Sequence, residues 1–151
     1  MPQSLRIAPV QTSLRSRLEE EWNRIADLSP ATLGWPELAV ADTLDDLVGQ
    51  VRIEPDRLLG VLIRRGRGHD PQAGTARLVV LRCLLGKLIS LSGRDRIPLE
   101  EYLVECWLQI AEYPLERRPR SIAANLWLDT RKRVIADRVA ARRQVPVEPE
   151  V

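Results

Sequence analysis

The side chains best suited to bind another molecule are concentrated near the C-terminus, in the stretch from Glu116 to Arg143. This stretch contains nine basic and three acidic residues, whereas the whole chain has a net charge of only +2. Basic side chains neutralise phosphate, and an amide such as that of Asn125 offers a donor and an acceptor to a base edge. The stretch is therefore a candidate nucleic-acid surface. A solvated helix face that keeps the protein soluble explains the same charges, and both interpretations stay open.

A second polar face lies earlier in the chain and is acidic. Around the segment "LEEYLVECWLQI", Glu101, Glu105, Gln109 and Glu112 recur at helical spacing. The carboxylates of Glu100, Glu101 and Glu105 are of the type that binds hard cations, but the solvated face of an amphipathic helix is the simpler interpretation. No metal site is predicted here.

Nothing in the sequence predicts catalysis or a cofactor. The single histidine, His69, excludes a multi-histidine metal site, and Cys83 and Cys106 are not spaced as zinc ligands. The loop "RRGRGHD" lacks the GK[ST] of a phosphate-binding loop, and the chain has no G-x-S-x-G. We therefore expect no metal, no cofactor and no enzymatic activity.

The composition is typical of a single globular domain with an aliphatic core. The 151 residues are 44% hydrophobic and 29% charged, with four Trp, two Tyr and no Phe. No apolar run reaches the roughly 18 to 20 residues of a membrane span, and the first residues lack the apolar centre of a secretory signal. Cys83 and Cys106 lie in apolar periodic segments, so we interpret them as free, buried thiols of a cytoplasmic protein.

The spacing of apolar residues predicts an all-α helical bundle. Helices are expected at about residues 13–28, 43–51, 55–66, 72–91, 98–112 and 120–143. Ser13 and Asp42 are the expected N-caps of the first two helices, and prolines open the third and the fifth. The segment 72–91 is apolar on most sides, which is typical of a helix in the centre of a bundle. The sequence "SGRDRIP" after it is expected to be a turn.

Charge and pattern divide the chain into three parts. Residues 1–52 form an acidic N-terminal helical segment, 53–143 a helical domain, and 144–151 a tail expected to be disordered. The first fifty residues hold four arginines and eight acidic residues. Trp22 and Trp35 are expected to pin this segment to the bundle. A homodimer whose interface includes Trp35 stays open as an alternative.

The last helix carries its own packing predictions. Trp127 is interpreted as a core residue, with stacking on a base as the alternative. Asp129 and Arg133 are expected to form an i,i+4 ion pair worth a few tenths of a kcal/mol. The residues expected to pack into the bundle are Ile122, Ala123, Leu126 and Leu128.

Three segments of the sequence, taken together, resemble region 2 of bacterial sigma factors of the extracytoplasmic-function type. "LLGVLIRRGRGHDPQAGTARLVVLRCLLGKLISLS" resembles that family's opening helix, its turn and the long helix that follows. "LEEYLVECWLQI" is similar to the family's D-L-V-Q-E-V-F-L-R helix, with Glu105, Trp107 and Leu108 at the motif's Glu, Phe and Leu. "SIAANLWLDTRKR" is similar to I-A-R-N-L-A-I-D-x-x-R-R, with Asn125 and Asp129 at matching positions. The likeness spans roughly residues 58–133.

The resemblance implies a helical bundle that works in transcription. In the family, the second of these segments helps bind the coiled-coil clamp of RNA polymerase, so Glu101, Glu105 and Gln109 would face the polymerase core. The final helix and the loop before it open promoter DNA and hold a flipped base. The residues that would lie near single-stranded DNA are Arg117, Arg118, Arg120, Asn125, Lys132 and Arg133.

The sequence also departs from the family's pattern. Val104 stands where the motif has Gln, and Arg118-Pro119-Arg120 replaces the aromatic and apolar residues that usually open the final helix. No helix-turn-helix pattern follows the match. Two functions are therefore predicted as alternatives. One is a sigma-like transcription regulator that contacts RNA polymerase, promoter DNA or both; the other is a protein–protein adaptor of a phage or mobile element that keeps the fold without melting DNA.

Overall fold

The computed structural model describes residues 13–144, which form α-helices joined by short connections and contain no strand. The helices are α1 (Leu14–Ile25), α2 (Leu44–Val51), α3 (Pro55–Arg65), α4 (Ala73–Asp95), α5 (Leu99–Glu112) and α6 (Ile122–Gln144). A 3₁₀ turn, Pro36–Leu38, lies between α1 and α2. The predicted all-α fold is confirmed. The tail that was expected to be disordered lies outside the described residues, except for Gln144.

Side-chain caps decide where the first two helices begin. The Ser13 hydroxyl accepts the backbone N–H of Ser16 at 3.1 Å, as predicted. At α2 the expected cap, Asp42, is wrong by one residue, because the Thr43 hydroxyl accepts the N–H of Asp46 at 3.1 Å. Thr43 has the extended backbone of an N-cap, which brings its hydroxyl to the third helical N–H. Asp42 precedes that position and is exposed.

Helix α4 is longer than the sequence predicts. The residues 92–95, which were expected to lie in a turn, continue the helix to Asp95, and the chain leaves it at Arg96 in a left-handed conformation with φ 56°. The Ser92 hydroxyl donates to the carbonyl of Ile97 at 2.6 Å, and the N–H of Ile97 donates to the carbonyl of Ser92 at 3.2 Å. These two bonds close the end of the helix, so Gly93 does not interrupt it.

The start of α6 is fixed by a residue far away in the sequence. The Asp56 carboxylate, in the first turn of α3, accepts the backbone N–H groups of Ser121 and Ile122, each at 3.0 Å. Ser121 adopts a left-handed conformation with φ 54°, so the helix begins at Ile122 and not at the predicted residue 120. Asp56 therefore caps α6 across the bundle.

Helix α4 lies at the centre of the bundle, as its apolar sides predict, and packs against α2, α3, α5 and α6. Leu84, Leu88 and Leu91 are buried along it. Four residues of α6 were predicted to pack into the bundle. Ile122 and Leu126 are completely buried, and Ala123 is partly buried against the core. Leu128 was predicted to pack as well, but it is 48% exposed.

The N-terminal segment shares the hydrophobic core of the later helices. Trp35, Leu38, Leu44 and Leu47 are completely buried, and they belong to the same cluster as the core residues of α3 and α4. Trp22 is 3% exposed. Both tryptophans thus pin the segment to the bundle, as predicted. A homodimer interface that includes Trp35 is contradicted, because no part of this side chain reaches the surface.

Both cysteines are free, as the sequence predicts. Cys106 is buried as expected, whereas Cys83 is only half-buried. Desolvation by the surrounding protein raises the pKa of both thiols to about 12, which favours the protonated form. Within residues 13–144, no helix is long and apolar enough to cross a membrane.

One charged cluster connects the end of α4 and the first turn of α5 to the middle of α6. The Asp95 carboxylate accepts two hydrogen bonds from the Arg131 guanidinium, both at 2.9 Å, and a third from the Tyr102 hydroxyl. The Asp95 side chain is only 9% exposed. These hydrogen bonds, first from Arg131 and then from Tyr102, hold the pKa of Asp95 at about 2, below its usual 3.8.

We expect Asp95→Asn to lower the free energy of unfolding at neutral pH by about 1 to 2 kcal/mol, since solvent at Arg131 screens part of the full shift. The pKa of Asp95 is lower in the folded chain than in the unfolded chain. Its contribution is therefore complete above about pH 4 to 5 and is lost as the pH falls through about 2. Urea unfolding from pH 7 to pH 2 measures the difference between the variant and the wild type. Asp27→Asn, at an exposed position, is the control, and a difference that does not change with pH would contradict the assignment.

Candidate nucleic-acid and partner interface

The loop between α5 and α6, residues 113–121, is held by a side-chain cluster at its base. The Tyr113 hydroxyl donates to the carbonyl of Arg118 at 2.5 Å. The Asn125 amide nitrogen donates to the Tyr113 hydroxyl at 3.0 Å and to the carbonyl of Arg120 at 2.9 Å. These bonds connect the beginning and the end of the loop to the first turn of α6. The backbone that carries the loop arginines is therefore held in place.

Asn125 therefore stabilises the loop, a role that the sequence does not indicate. Both hydrogens of its amide nitrogen are used within the loop, and its carbonyl oxygen is the group left for another molecule. The sequence analysis expected Asn125 to offer both a donor and an acceptor to a base. In this conformation the side chain offers an acceptor.

Two of the predicted nucleic-acid residues are engaged in ion pairs. Arg118 lies 2.6 Å from the Asp129 carboxylate, and Arg133 lies 3.3 Å from that of Asp137. The predicted Asp129–Arg133 pair is therefore wrong. Asp129 pairs with Arg118 of the clamped loop. Arg133 pairs instead with Asp137, one turn further along α6. Arg118 also lies 6.0 Å from the centre of the Tyr113 ring.

Three other predicted residues are exposed cations. Arg117, Arg120 and Lys132 form no ion pair with any carboxylate of residues 13–144. Arg117 and Arg120 lie in the clamped loop, whereas Lys132 is seven residues after Asn125, two helical turns or about 10 Å along the axis on the same face. The structure thus brings the loop cations together at one end of α6 and leaves Lys132 farther along the same side.

Other basic residues of α6 are used inside the molecule. Arg131 binds Asp95, and Arg138 pairs with Glu101 through two hydrogen bonds, one of them 2.9 Å long. The basic cluster of the sequence is therefore divided. Some of its cations hold the bundle together, and those on the outer side are available to another molecule.

The three residues predicted to face a partner lie on the side of α5 next to α6, and all are half-buried. The Arg138 guanidinium lowers the pKa of Glu101, which is committed to that pair. The Gln109 amide donates to the Glu105 carboxylate at 2.9 Å. Two apolar side chains of α5, Val104 and Leu108, are more exposed than these three residues, at 53% and 48%.

Several residues that shape this region were missed by the sequence analysis. Arg67 pairs with Glu116 at 2.7 Å and donates to the carbonyl of Tyr113, so it fastens the loop to the end of α3. Asp56 and Tyr113 complete the support. Their partners lie up to 66 residues away in the sequence, so no local pattern marks them. The exposed Val104 and Leu108 have a signal, since they stand four residues apart among the glutamates of α5.

Trp127 is half-buried and packs against the core, as predicted. The Lys87 ammonium lies 4.1 Å from the centre of its ring. A cation at this distance is attracted to the aromatic face and covers it. The alternative, stacking of a base on Trp127, requires this lysine to move.

In the described part of the chain, no group of three or more His, Cys, Asp or Glu residues is placed to hold a metal ion. No protein-family model matches the chain, and comparisons with curated proteins and with solved structures give no match. The likeness to sigma factors thus depends on the three sequence segments.

We expect Asn125→Ala to loosen the loop, because two hydrogen bonds to Tyr113 and Arg120 are lost. Unfolding should become easier by about 1 to 2 kcal/mol. The backbone N–H groups of Arg117 and Arg118, which donate to the carbonyl of Pro114, should exchange faster with deuterium. Asn23→Ala, at an exposed position of α1, should change neither measurement, and equal effects of the two variants would argue against the clamp.

Proposed function

We propose that the protein is a sigma-like transcription regulator that contacts RNA polymerase, promoter DNA or both. The observation that carries the proposal is a set of three exposed cations, Arg117, Arg120 and Lys132, that form no ion pair within residues 13–144. The first two lie in the clamped loop and the third lies on α6. They stand where the resemblance to sigma factors expects single-stranded DNA. A bacterial, cytoplasmic location belongs to the same proposal.

Electrostatics supports contact with the phosphate backbone more than reading of bases. When exposed arginine and lysine side chains bind phosphate, counterions are released from the nucleic acid, and this release favours binding at low salt. The backbone N–H groups at the start of α6 are occupied by Asp56, so a phosphate would be bound by side chains. The Asn125 carbonyl oxygen adds one acceptor that a base amino group can reach.

We expect the protein to bind a fluorescein-labelled single-stranded 20-mer with an affinity that falls as salt rises. The triple variant Arg117→Gln, Arg120→Gln, Lys132→Gln should weaken binding at low salt by about tenfold or more. It should also reduce the slope of log K against log salt by about 2, since each phosphate contact contributes about 0.7 for a single strand. Fluorescence anisotropy at several salt concentrations measures both.

The matched control is Arg15→Gln, Arg17→Gln, Arg52→Gln, which removes the same charge from exposed positions of the N-terminal segment. It should leave the salt slope unchanged. If the wild type does not bind even at low salt, or if both triple variants lose the same affinity, the DNA part of the proposal is wrong.

The polymerase part of the proposal concerns α5. Glu105 and Gln109 bond to each other and remain partly accessible, and the exposed Val104 and Leu108 lie beside them. An apolar ridge flanked by carboxylates is suited to a partner helix with apolar and basic side chains. Val104 takes the place of the family's glutamine, so this contact would be more apolar than the family's.

We expect the wild-type protein to co-elute with core RNA polymerase in size-exclusion chromatography. Glu105→Lys with Gln109→Lys should abolish co-elution, because it places like charges at the contact. Glu20→Lys with Asn23→Lys makes the same change of charge at exposed positions of α1 and should leave co-elution intact. Wild-type protein that elutes apart from the polymerase would remove this partner.

Two observations favour the second function, a protein–protein adaptor of a phage or mobile element without DNA melting. Both amide hydrogens of Asn125 are used inside the loop, and Arg118 is paired with Asp129. An adaptor would keep the bundle and α5 as a binding surface while the loop served only the fold. Absence of DNA binding together with capture of a defined protein partner would favour this function over the first.

A further inference from the structure

An apolar groove runs between α1 and α5 with α4 as its floor. Leu14 and Leu18 form one wall, Trp107 and Leu108 the other, and Leu81 closes the bottom. Its volume is about 280 Å³. Nothing in residues 13–144 covers this apolar surface, and another apolar surface is expected to pack on such a site.

The outer edge of the groove is apolar, and the charged side chains of α5 beside it are all acidic. Val104 and Leu108 form the edge and are half exposed. Helix α5 contains four glutamates and no basic residue. Three of them, Glu100, Glu105 and Glu112, form no ion pair with any side chain of residues 13–144. A segment that fits this groove therefore combines small or apolar side chains with positive charge.

A symmetric contact centred on Val104 and Leu108 would place the same acidic surface on both of its sides, which is electrostatically unfavourable. The occupant has to present a different, basic surface. The exposed end of α6 is such a surface in this chain. It consists of Val139, Ala140, Ala141, Arg142 and Arg143, all of which are exposed.

The end of α6 projects beyond the bundle. The Glu101–Arg138 pair aligns the first turn of α5 with residue 138 of α6, so the last six residues of α6 extend about 9 Å past this point. Glu101 and Glu105 lie on the side of α5 next to α6, with Val134 and Asp137 opposite them. The groove is on the side of α5 next to α1. A continuous helix cannot turn back to it, so the end of α6 cannot fill the groove of its own copy.

We propose that the protein self-associates head to tail, with the exposed end of α6 from one copy docked in the α1–α5 groove of a second copy. Val139 enters the apolar groove. Arg142 and Arg143, one turn further along the same face of the helix, extend over the outer edge of the groove, formed by Val104 and Leu108, to the carboxylates of Glu105 and Glu112. The proposal does not depend on the proposed function in transcription.

Such a contact joins two different surfaces, so every copy keeps one groove and one helix end for further copies. Association of this type continues to a chain or closes into a ring. The contact is small and rich in charge, which places it among weak interfaces with micromolar dissociation constants that rise with salt.

The test uses two full-length variants that each remove one half of the contact at exposed positions. The groove variant is Val104→Arg with Leu108→Arg, and the tail variant is Val139→Ser with Arg142→Gln and Arg143→Gln. Sedimentation velocity should show wild-type mass rising with concentration beyond a dimer. Each variant alone should stay monomeric at concentrations where the wild type associates.

A mixture of the two variants gives the decisive result. The groove variant keeps its helix end, and the tail variant keeps its groove, so these two surfaces bind each other. The altered groove and the altered helix end do not bind, so no further copy is added. A 1:1 dimer that grows no further is expected. The proposal is wrong if the wild type remains monomeric at several hundred micromolar, if either variant associates as the wild type does, or if the mixture stays monomeric. Circular dichroism melting checks that both variants fold; Leu108→Ser replaces the groove variant if it does not.

Discussion

The hydrogen bonds that the Asp56 carboxylate accepts from the backbone N–H groups of Ser121 and Ile122 fix where the last helix begins, and with it the arrangement of the last third of the structure. The first backbone N–H groups of a helix have no acceptor within the helix. At α6 the carboxylate of Asp56, from α3, is that acceptor. The left-handed Ser121 turns the chain at this point, and α6 then runs along α5 to reach Glu101 through Arg138. The start of α6 thus places its first turn beside the loop, where Asn125 bonds to Tyr113 and Arg120, and its later turns beside α5.

The cations of α6 show how one sequence feature can serve two purposes. Arg131 and Arg138 each donate two hydrogen bonds to a carboxylate on a neighbouring element, so they hold helices together. Arg118 is intermediate, because a phosphate that bound it would have to compete with Asp129 at 2.6 Å. The charge of a cluster therefore overstates the charge that it offers to another molecule. Here the exposed cations without a carboxylate partner in the described chain, Arg117, Arg120 and Lys132, are the better measure of the surface.

The sequence predicts the helices well because their apolar spacing is local, and α3 begins and ends almost where its proline and glycine suggest. It fails where a local signal has a competitor. Gly93 suggested a turn, but hydrogen bonds between Ser92 and Ile97 complete the helix around it. The site was harder to predict, since Asn125 and Asp129 bond to loop residues and not to neighbours on their own helix. Pairings of this kind depend on tertiary packing, which periodicity does not describe.

The shared core of the N-terminal segment and the later helices has a consequence for the connection between them. Arg52 and Ile53 are exposed, and Ile53 is 73% accessible, so the peptide bond between them lies at the surface. Breaking this one bond would not separate the two parts, because Trp35, Leu38 and Leu44 are interleaved with the side chains of α3 and α4. A chain cut at this bond alone would migrate as two fragments in a denaturing gel and as one particle in its native state. The acidic segment is thus a structural part of the bundle, and removing it would uncover the core.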